Sequence, residues 1–337
     1  MRLAVVVATY NRPEALARLL EDLAAQQLAA ANFEVVVVDD GSSPPVRRRV
    51  ESLPLPYAIK LIEQSNAGQA VARDLGIKRT QAEVIVVLDD DMRIGPEFLS
   101  AHLALHEAGN TLVLGEIRSA PHIGRMPLFE RFHARSHAAY LDEVRRGATI
   151  HGDALCTGNV SMRRADYLAI GGFDSTLPCS EDRDLGIRLE RHGARLAFSE
   201  RAYTVHHSDH KDLDRWLTRA RLYGHCDSRI AQKHADLEHV DPWRFLFMVN
   251  PISRPLIVFA VVVPPAGRML SRTAMAVSQR VDRLGLAPVA VAGTTLVYGL
   301  EYFMGVREHA ESALGTLRGF IAYYKKRRLV LRHAVLG

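Results

Sequence analysis

Apolar runs and polar breaks alternate along the first half of the chain. Short aliphatic runs occupy Leu3–Ala8, Val35–Val38, Ile59–Ile62 and Val84–Leu88, lengths that suit buried strands. Between them lie stretches with apolar residues at helical spacing, such as Glu14–Gln27 and Gln69–Thr80. Strand and helix in alternation predict an α/β fold, a central and mostly parallel sheet flanked by helices. Such sheets bind ligands beyond the carboxyl ends of their strands, which draws attention to the polar residues that close each run. These are Thr9-Tyr10-Asn11, Asp39-Asp40-Gly41-Ser42 and Asp89-Asp90-Asp91.

Between residues 96 and 210 the signals are mixed, with strand candidates at Thr111–Ile117 and Ala202–Val205 and helices around Ala165 and over Asp184–His192. Beyond about residue 211 the chain reads as helical: the amphipathic stretch Asp212–Ala235 precedes two apolar runs, Pro255–Gly267 and Leu286–Gly305. Neither run has the form of a membrane span. The first offers about a dozen apolar residues against the roughly 20 needed, and the second carries Pro288, three glycines and Glu301. Docking in the plane of a membrane surface, packing onto the preceding domain and a homodimer contact stay open for this C-terminal helical region, 211–337.

Composition narrows the class. With 337 residues, 48% hydrophobic and 24% charged, the chain has the make-up of a globular protein with one large domain and an appendage. The opening MRLAVVVATYNRP turns polar too soon for a signal peptide, so a cytosolic protein is expected. Cys156, Cys179 and Cys226 lack metal-ligand spacing and are expected to be buried or inert thiols. The net charge of +5 matches residues 305–337, which hold seven Lys/Arg against two acids. Such a tail, with its Lys325-Lys326-Arg327-Arg328 cluster, suits peripheral contact with anionic lipid on the cytosolic face of a membrane. Nucleic acid is not expected as a partner, because no zinc-finger spacing or helix-turn-helix framework accompanies the charge.

Acidic clusters at neighbouring strand ends repel one another unless something positive lies between them. A hard divalent cation, Mg²⁺ or Mn²⁺, takes carboxylate oxygens and is completed by substrate phosphates. A metal on Asp89-Asp90-Asp91 would neutralise a departing diphosphate. The motifs ATYNRP (8–13), VVVDDGSS (36–43), SNAGQAVARDLG (65–76), VVLDDDM (86–92), TGNVSMRR (157–164), GGFD (171–174) and SEDRDLGIRL (180–189) resemble, in this order, the family 2 glycosyltransferases and their nucleotide-sugar-binding GT-A fold. The likeness covers about residues 1–210, with a nucleotide-binding half to about residue 95 and an acceptor-binding half from 96 to 210.

The resemblance implies roles. Thr9, Tyr10, Arg12, Asp39 and Asp40 line the base and ribose of a nucleotide diphosphate sugar, with a UDP sugar favoured; Asn66, Gly68 and Arg73 approach the donor. The alternative for Asp40-Gly41-Ser42 is a turn with helix-capping residues. Asp89 faces the ribose, Asp90 belongs to the donor side, and Asp91 holds the metal. Asp182 matches the catalytic base that takes the proton of an acceptor hydroxyl, which implies direct displacement and inversion. Its alternative is a charge complementing a helix N-terminus. Gly158, Asn159 and Glu181 fall on the acceptor side, and His206 is chosen from His206-His207 as a second metal ligand. Where processive relatives carry Q-x-x-R-W, this chain has Asp212-Leu213-Asp214-Arg215-Trp216, so transfer of a single sugar is expected. Trp216 either stacks on the acceptor or packs within its helix. The acceptor expected is a glycan or lipid-linked precursor. A nucleotidyltransferase would open with a Gly-rich phosphate loop, which ATYNRP is not; a non-catalytic nucleotide-sugar-binding or scaffold protein is the other alternative.

Overall fold

The computed structural model describes residues 2–336, with side chains described for 2–327; of the basic cluster, the side chain of Arg328 lies outside the described residues. The chain divides into two compact units, residues 1–123 with 136–209 and residues 124–135 with 210–337. Segment 124–135, which the sequence places in the first domain, thus belongs with the C-terminal helices.

The first unit holds one sheet built from β1 (Leu3–Thr9), β2 (Phe33–Asp39), β3 (Ala58–Glu63), β4 (Val84–Asp89), β5 (Met92–Ile94), β6 (Leu112–Ser119), β7 (Val160–Arg163) and β8 (Leu196–His206). Their order is β3-β2-β1-β4-β7-β6-β8-β5. The β3-β2-β1-β4 half is parallel. Beyond it β7 runs antiparallel to β4 and β6, while β8 is parallel to β6 and antiparallel to β5. The helices are α1 (Pro13–Ala24), α2 (Arg47–Glu51), α3 (Gln69–Lys78), α4 (Phe98–Glu107), α5 (Leu128–Arg145), α6 (Arg164–Ala169) and α7 (Glu181–Arg191), α5 passing from the second unit into the first.

Side chains of a strand alternate between faces, and here both faces are covered. Leu3, Val5 and Val7 pack with Leu16, Leu19 and Leu20 of α1 and Phe98 of α4; Ala4 and Val6 pack with Ile77 of α3, Tyr167 of α6 and Leu185 of α7. Burial on both sides is why β1, β2 and β4 read as unbroken apolar runs. Helix α3 lies close on the sheet because Gly76 has no side chain: a Cβ there would stand 2.6 Å from a methyl of Val6.

The second unit continues with α8 (Leu213–Lys233), α9 (Trp243–Met248), α10 (Arg254–Val262), α11 (Pro264–Arg283), α12 (Ala287–His309) and α13 (Ala313–Leu336). The first apolar run is cut at Val263, where Pro264 and Pro265 start a new helix. The second run is α12, which by length and hydropathy could cross a membrane, yet 61% of that stretch is buried within the protein. It is a core helix. Glu301, buried on it, accepts hydrogen bonds from Arg221 (2.5 Å) and Ser271 (2.5 Å), which explains how a carboxylate sits in an apolar run. At the α8–α12 crossing the backbones touch: a Cβ on Gly224 would stand 1.9 Å from the Tyr302 carbonyl, and one on Gly305 1.8 Å from that of Arg221. Gly305→Ala should therefore cost about 1–3 kcal/mol by forcing the two helices apart, seen as an earlier unfolding step in thermal melts followed by far-UV circular dichroism.

Candidate active site

The parallel register brings the strand ends level, with Thr9 beside Asp39 on one side and Ala8 beside Asp89 on the other. The loops that follow are tied to each other. Asn11, in the left-handed region at φ 55, donates its backbone N–H to Ser42 Oγ at 2.8 Å and accepts from the N–H of Ser43 at 2.8 Å. Tyr10 is left pointing out, 49% exposed.

Asp39 and Asp40 are both buried, and both are occupied by the protein itself. Asp39 accepts from the N–H groups of Ser42 (2.9 Å) and Val46 (3.0 Å), so the turn at Asp40-Gly41-Ser42 is held by the residue before it. Asp40 gathers the next loop, accepting from Gln64 (2.6 Å) and from the N–H groups of Ala67 (2.8 Å) and Gly68 (2.9 Å), while Asn66 donates to its carbonyl (3.0 Å). Gly68, at φ 92, starts α3 in a conformation that favours glycine. Asn66, Gly68 and the two acids are thus brought together as one framework around the strand ends.

The three aspartates after β4 face different partners. Asp89 accepts from Arg73 Nη2 at 2.5 Å and keeps about a third of its side chain exposed. Gly158 passes close to it, since a Cβ on Gly158 would stand 3.4 Å from Asp89 Oδ2. Asp90 turns inward and accepts from Thr9 Oγ1 (2.7 Å) and Arg12 (3.3 Å); burial outweighs these contacts and pushes its pKa up to about 6. Asp91 accepts from Arg12 Nη1 at 2.7 Å, and its other oxygen, Oδ1, is buried without a hydrogen-bond partner. Burial alone would raise its pKa, but His206 and Arg12 outweigh it and hold it down at about 2. The antiparallel pairing of β5 with β8 sets Met92 opposite His206, and His206 Nε2 lies 3.5 Å from Asp91 Oδ2.

Helix α7 brings the second group of acids. Arg73 is buried and donates to Asp89 and, at 3.0 Å, to Glu181, which also accepts from Gln69 at 2.7 Å. Burial alone would lower the pKa of Arg73, but Asp89 and Glu181 raise it, so it is a permanent cation between two carboxylates. Asp182 follows Glu181 in the first turn of α7 and accepts from the Arg183 N–H at 2.9 Å. Burial and the neighbouring Glu181 push its pKa up to about 6. Asp182 thus takes the helix-start position of the alternative reading.

Three expectations are corrected or narrowed. Asn159 is buried and staples strands: its amide donates to the carbonyls of Glu116 (3.0 Å) and Ala202 (2.8 Å), and its Oδ1 lies 3.0 Å from His102 Nε2. It fills the irregularity between Gly115 and Ile117 on β6, so no polar group is left for an acceptor. Trp216 is core of the second unit, stacked on Phe129 at 5.4 Å with Nε1 donating to His133 at 2.7 Å; packing is its role, not acceptor stacking. The cysteines are all free, but Cys156 is exposed, so burial holds only for Cys179 and Cys226. Sequence reasoning missed Gln69, although it sits four residues before Arg73 and so on the same helical face. It also missed Asp209, which accepts from Arg12 Nη2 at 2.7 Å and carries no local signal.

The residues present fit a hard divalent cation. The unpartnered buried Oδ1 of Asp91, with the His206 imidazole 3.5 Å from the other oxygen of that carboxylate, offers one oxygen and one nitrogen of the kind Mn²⁺ or Mg²⁺ accepts.

The sheet, parallel as far as the strand that ends in Asp89-Asp90-Asp91 and flanked by helices, is GT-A-like in fold, and the acids of α7 are tied to it through Arg73. Residues 4–166 match the model of glycosyl transferase family 2. The chain is 31% identical over 265 residues to validoxylamine A glucosyltransferase of Streptomyces hygroscopicus, a match that takes in 70% of this chain and 61% of that protein's length. Solved structures share the fold: the mannosyltransferase PcManGT from Pyrobaculum calidifontis in complex with GDP-Man and Mn²⁺ (TM-score 0.55, 18% identity, 87% of this chain and 86% of that one), and Staphylococcus aureus TarS 1-349 in complex with UDP-GlcNAc (TM-score 0.52, 19% identity, 92% of each).

Asp91→Asn keeps an oxygen for Arg12 but loses the charge, so Mn²⁺ affinity read by electron paramagnetic resonance should fall more than about tenfold with folding retained. Arg73→Ala leaves two carboxylates without their shared cation and should destabilise the protein by about 3 kcal/mol in denaturant titrations.

Proposed function

We propose that the protein transfers a single sugar from a nucleotide diphosphate sugar to an acceptor hydroxyl with inversion, Asp182 acting as the base. The observation that carries this reading is the Asp89–Arg73–Glu181 linkage, which ties the donor-side acids to the helix start that bears Asp182. A donor laid across the strand ends would meet Tyr10 at its base, while Asp39 and Asp40 hold the surrounding loops in shape. Asp91 and His206 would hold the cation, which when bound supplies positive charge to the diphosphate.

In the reaction the acceptor oxygen attacks the anomeric carbon as its proton passes to Asp182. The bond from that carbon to the phosphate oxygen breaks, and the diphosphate leaves with the electron pair. A single displacement inverts the anomeric centre. An acceptor on a glycan or lipid-linked precursor in the cytosol completes the reading. A nucleotidyltransferase or a non-catalytic binding protein would not need a carboxylate of raised pKa beside the donor-side acids.

Asp182→Asn should lower kcat by about 10³-fold, within the range for loss of a general base, while donor Kd by calorimetry changes little; a large loss of donor affinity would place Asp182 in binding instead. The base must be ionised to act, and its pKa is raised to about 6. Activity should therefore fall about tenfold per unit as pH drops below about 6 and level off above it. Donor turnover at several pH values, with a panel of nucleotide sugars, reads both the profile and the donor.

A further inference from the structure

We propose that the outer face of α10, with the turn leading into it, docks on an anionic phospholipid bilayer. The inference is independent of the transfer reading and concerns the second unit alone. Helix α10 is apolar on both sides. Ile257, Ala260 and Val261 are buried in the core of the unit with Leu300 and Phe303, while Ile252 (82% exposed), Leu256, Phe259 (48% exposed), Val262 and Val263 face outward. Ile252, Leu256, Phe259 and Val263 follow the spacing of a single helical face. A helix that is hydrophobic all round and covered on one side only marks an interaction surface.

Charge identifies the occupant. Residues 242–281 contain five arginines, Arg244, Arg254, Arg268, Arg272 and Arg280, and no Asp or Glu. Beside the apolar face two guanidinium groups gather on one ring: Arg254 lies 5.4 Å and Arg327 4.3 Å from the centre of Phe247. A second copy docking through the same face would set arginine against arginine, with no acid in the segment to answer them. An anionic lipid surface answers both features, taking the apolar residues among its acyl chains and the arginines other than Arg272, which is paired with Asp214, at its phosphates. Of the two apolar runs that the sequence left open for docking, the first supplies this surface, while most of the second, α12, is buried in the core.

The full chain should float with vesicles of phosphatidylcholine and phosphatidylglycerol at low salt, and less at high salt or with phosphatidylcholine alone. The double variant Ile252→Glu, Phe259→Glu changes only exposed side chains and should lose about tenfold or more in vesicle affinity. Phe259→Trp offers a second reading in an otherwise unaltered surface, its emission shifting to the blue when vesicles are added. Absence of flotation on anionic vesicles, unchanged flotation of the double variant, or no blue shift in the Phe259→Trp variant overturns the proposal. So does a dimer in analytical ultracentrifugation that the double variant dissolves, since the face is then covered by a second copy.

Discussion

A single buried guanidinium organises the first unit. Arg73 joins a carboxylate at the end of β4, Asp89, to one at the start of α7, Glu181, far apart in the chain. Each carboxylate, brought in alone, would carry a desolvation cost of several kcal/mol; shared between them, the cation makes their proximity tolerable. Gln69 supports the same oxygen of Glu181 from one turn earlier on α3. The position of Asp182 is inherited from this linkage, because it is the next residue along α7. A further constraint holds α7 from below: a Cβ on Gly186 would stand 1.9 Å from the Gly152 carbonyl, so the helix lies against the 152–154 turn with its backbone in contact.

The parallel half of the fold was legible because it is covered on both faces. Val35–Val38 and Val84–Leu88 could be read as strands since neither face had to be polar. The antiparallel half was harder. β7 is only four residues long and contains Ser161, whose hydroxyl meets both His102 and His106 at 2.8 Å; a polar residue satisfied inside the sheet looks like a loop residue in sequence. Segment 124–135 gave no hint of joining the second unit, because Phe129 and Phe132 find their partner, Trp216, more than eighty residues further on.

The site was legible as residue types and less so as residue roles. An acid at a strand end can serve a ligand or the protein's own backbone, and sequence does not say whose N–H groups reach it. Asp39 and Asp40 commit their oxygens to the loops at 42–46 and 64–68, whereas Asp91 keeps one buried oxygen unpartnered. The proposed metal role of Asp91 rests on that difference. Asn159 makes the same point in reverse: a residue of a functional-looking motif has its amide committed to two strand carbonyls and its Oδ1 beside His102 of α4.

Arg12 shows how the acid cluster is kept together. Its guanidinium contacts Asp90, Asp91 and Asp209 at once, and these anions raise its pKa although burial opposes them. Three carboxylates around one cation leave negative charge uncompensated, which is the condition in which a divalent ion is attracted. Arg12 meets Asp91 through Oδ2 only, so the unpartnered Oδ1 stays available on the side of the same carboxylate that Arg12 does not use. The guanidinium thus steadies the cluster for folding and leaves Oδ1 of Asp91, the atom that the proposed cation would use, without a hydrogen-bond partner.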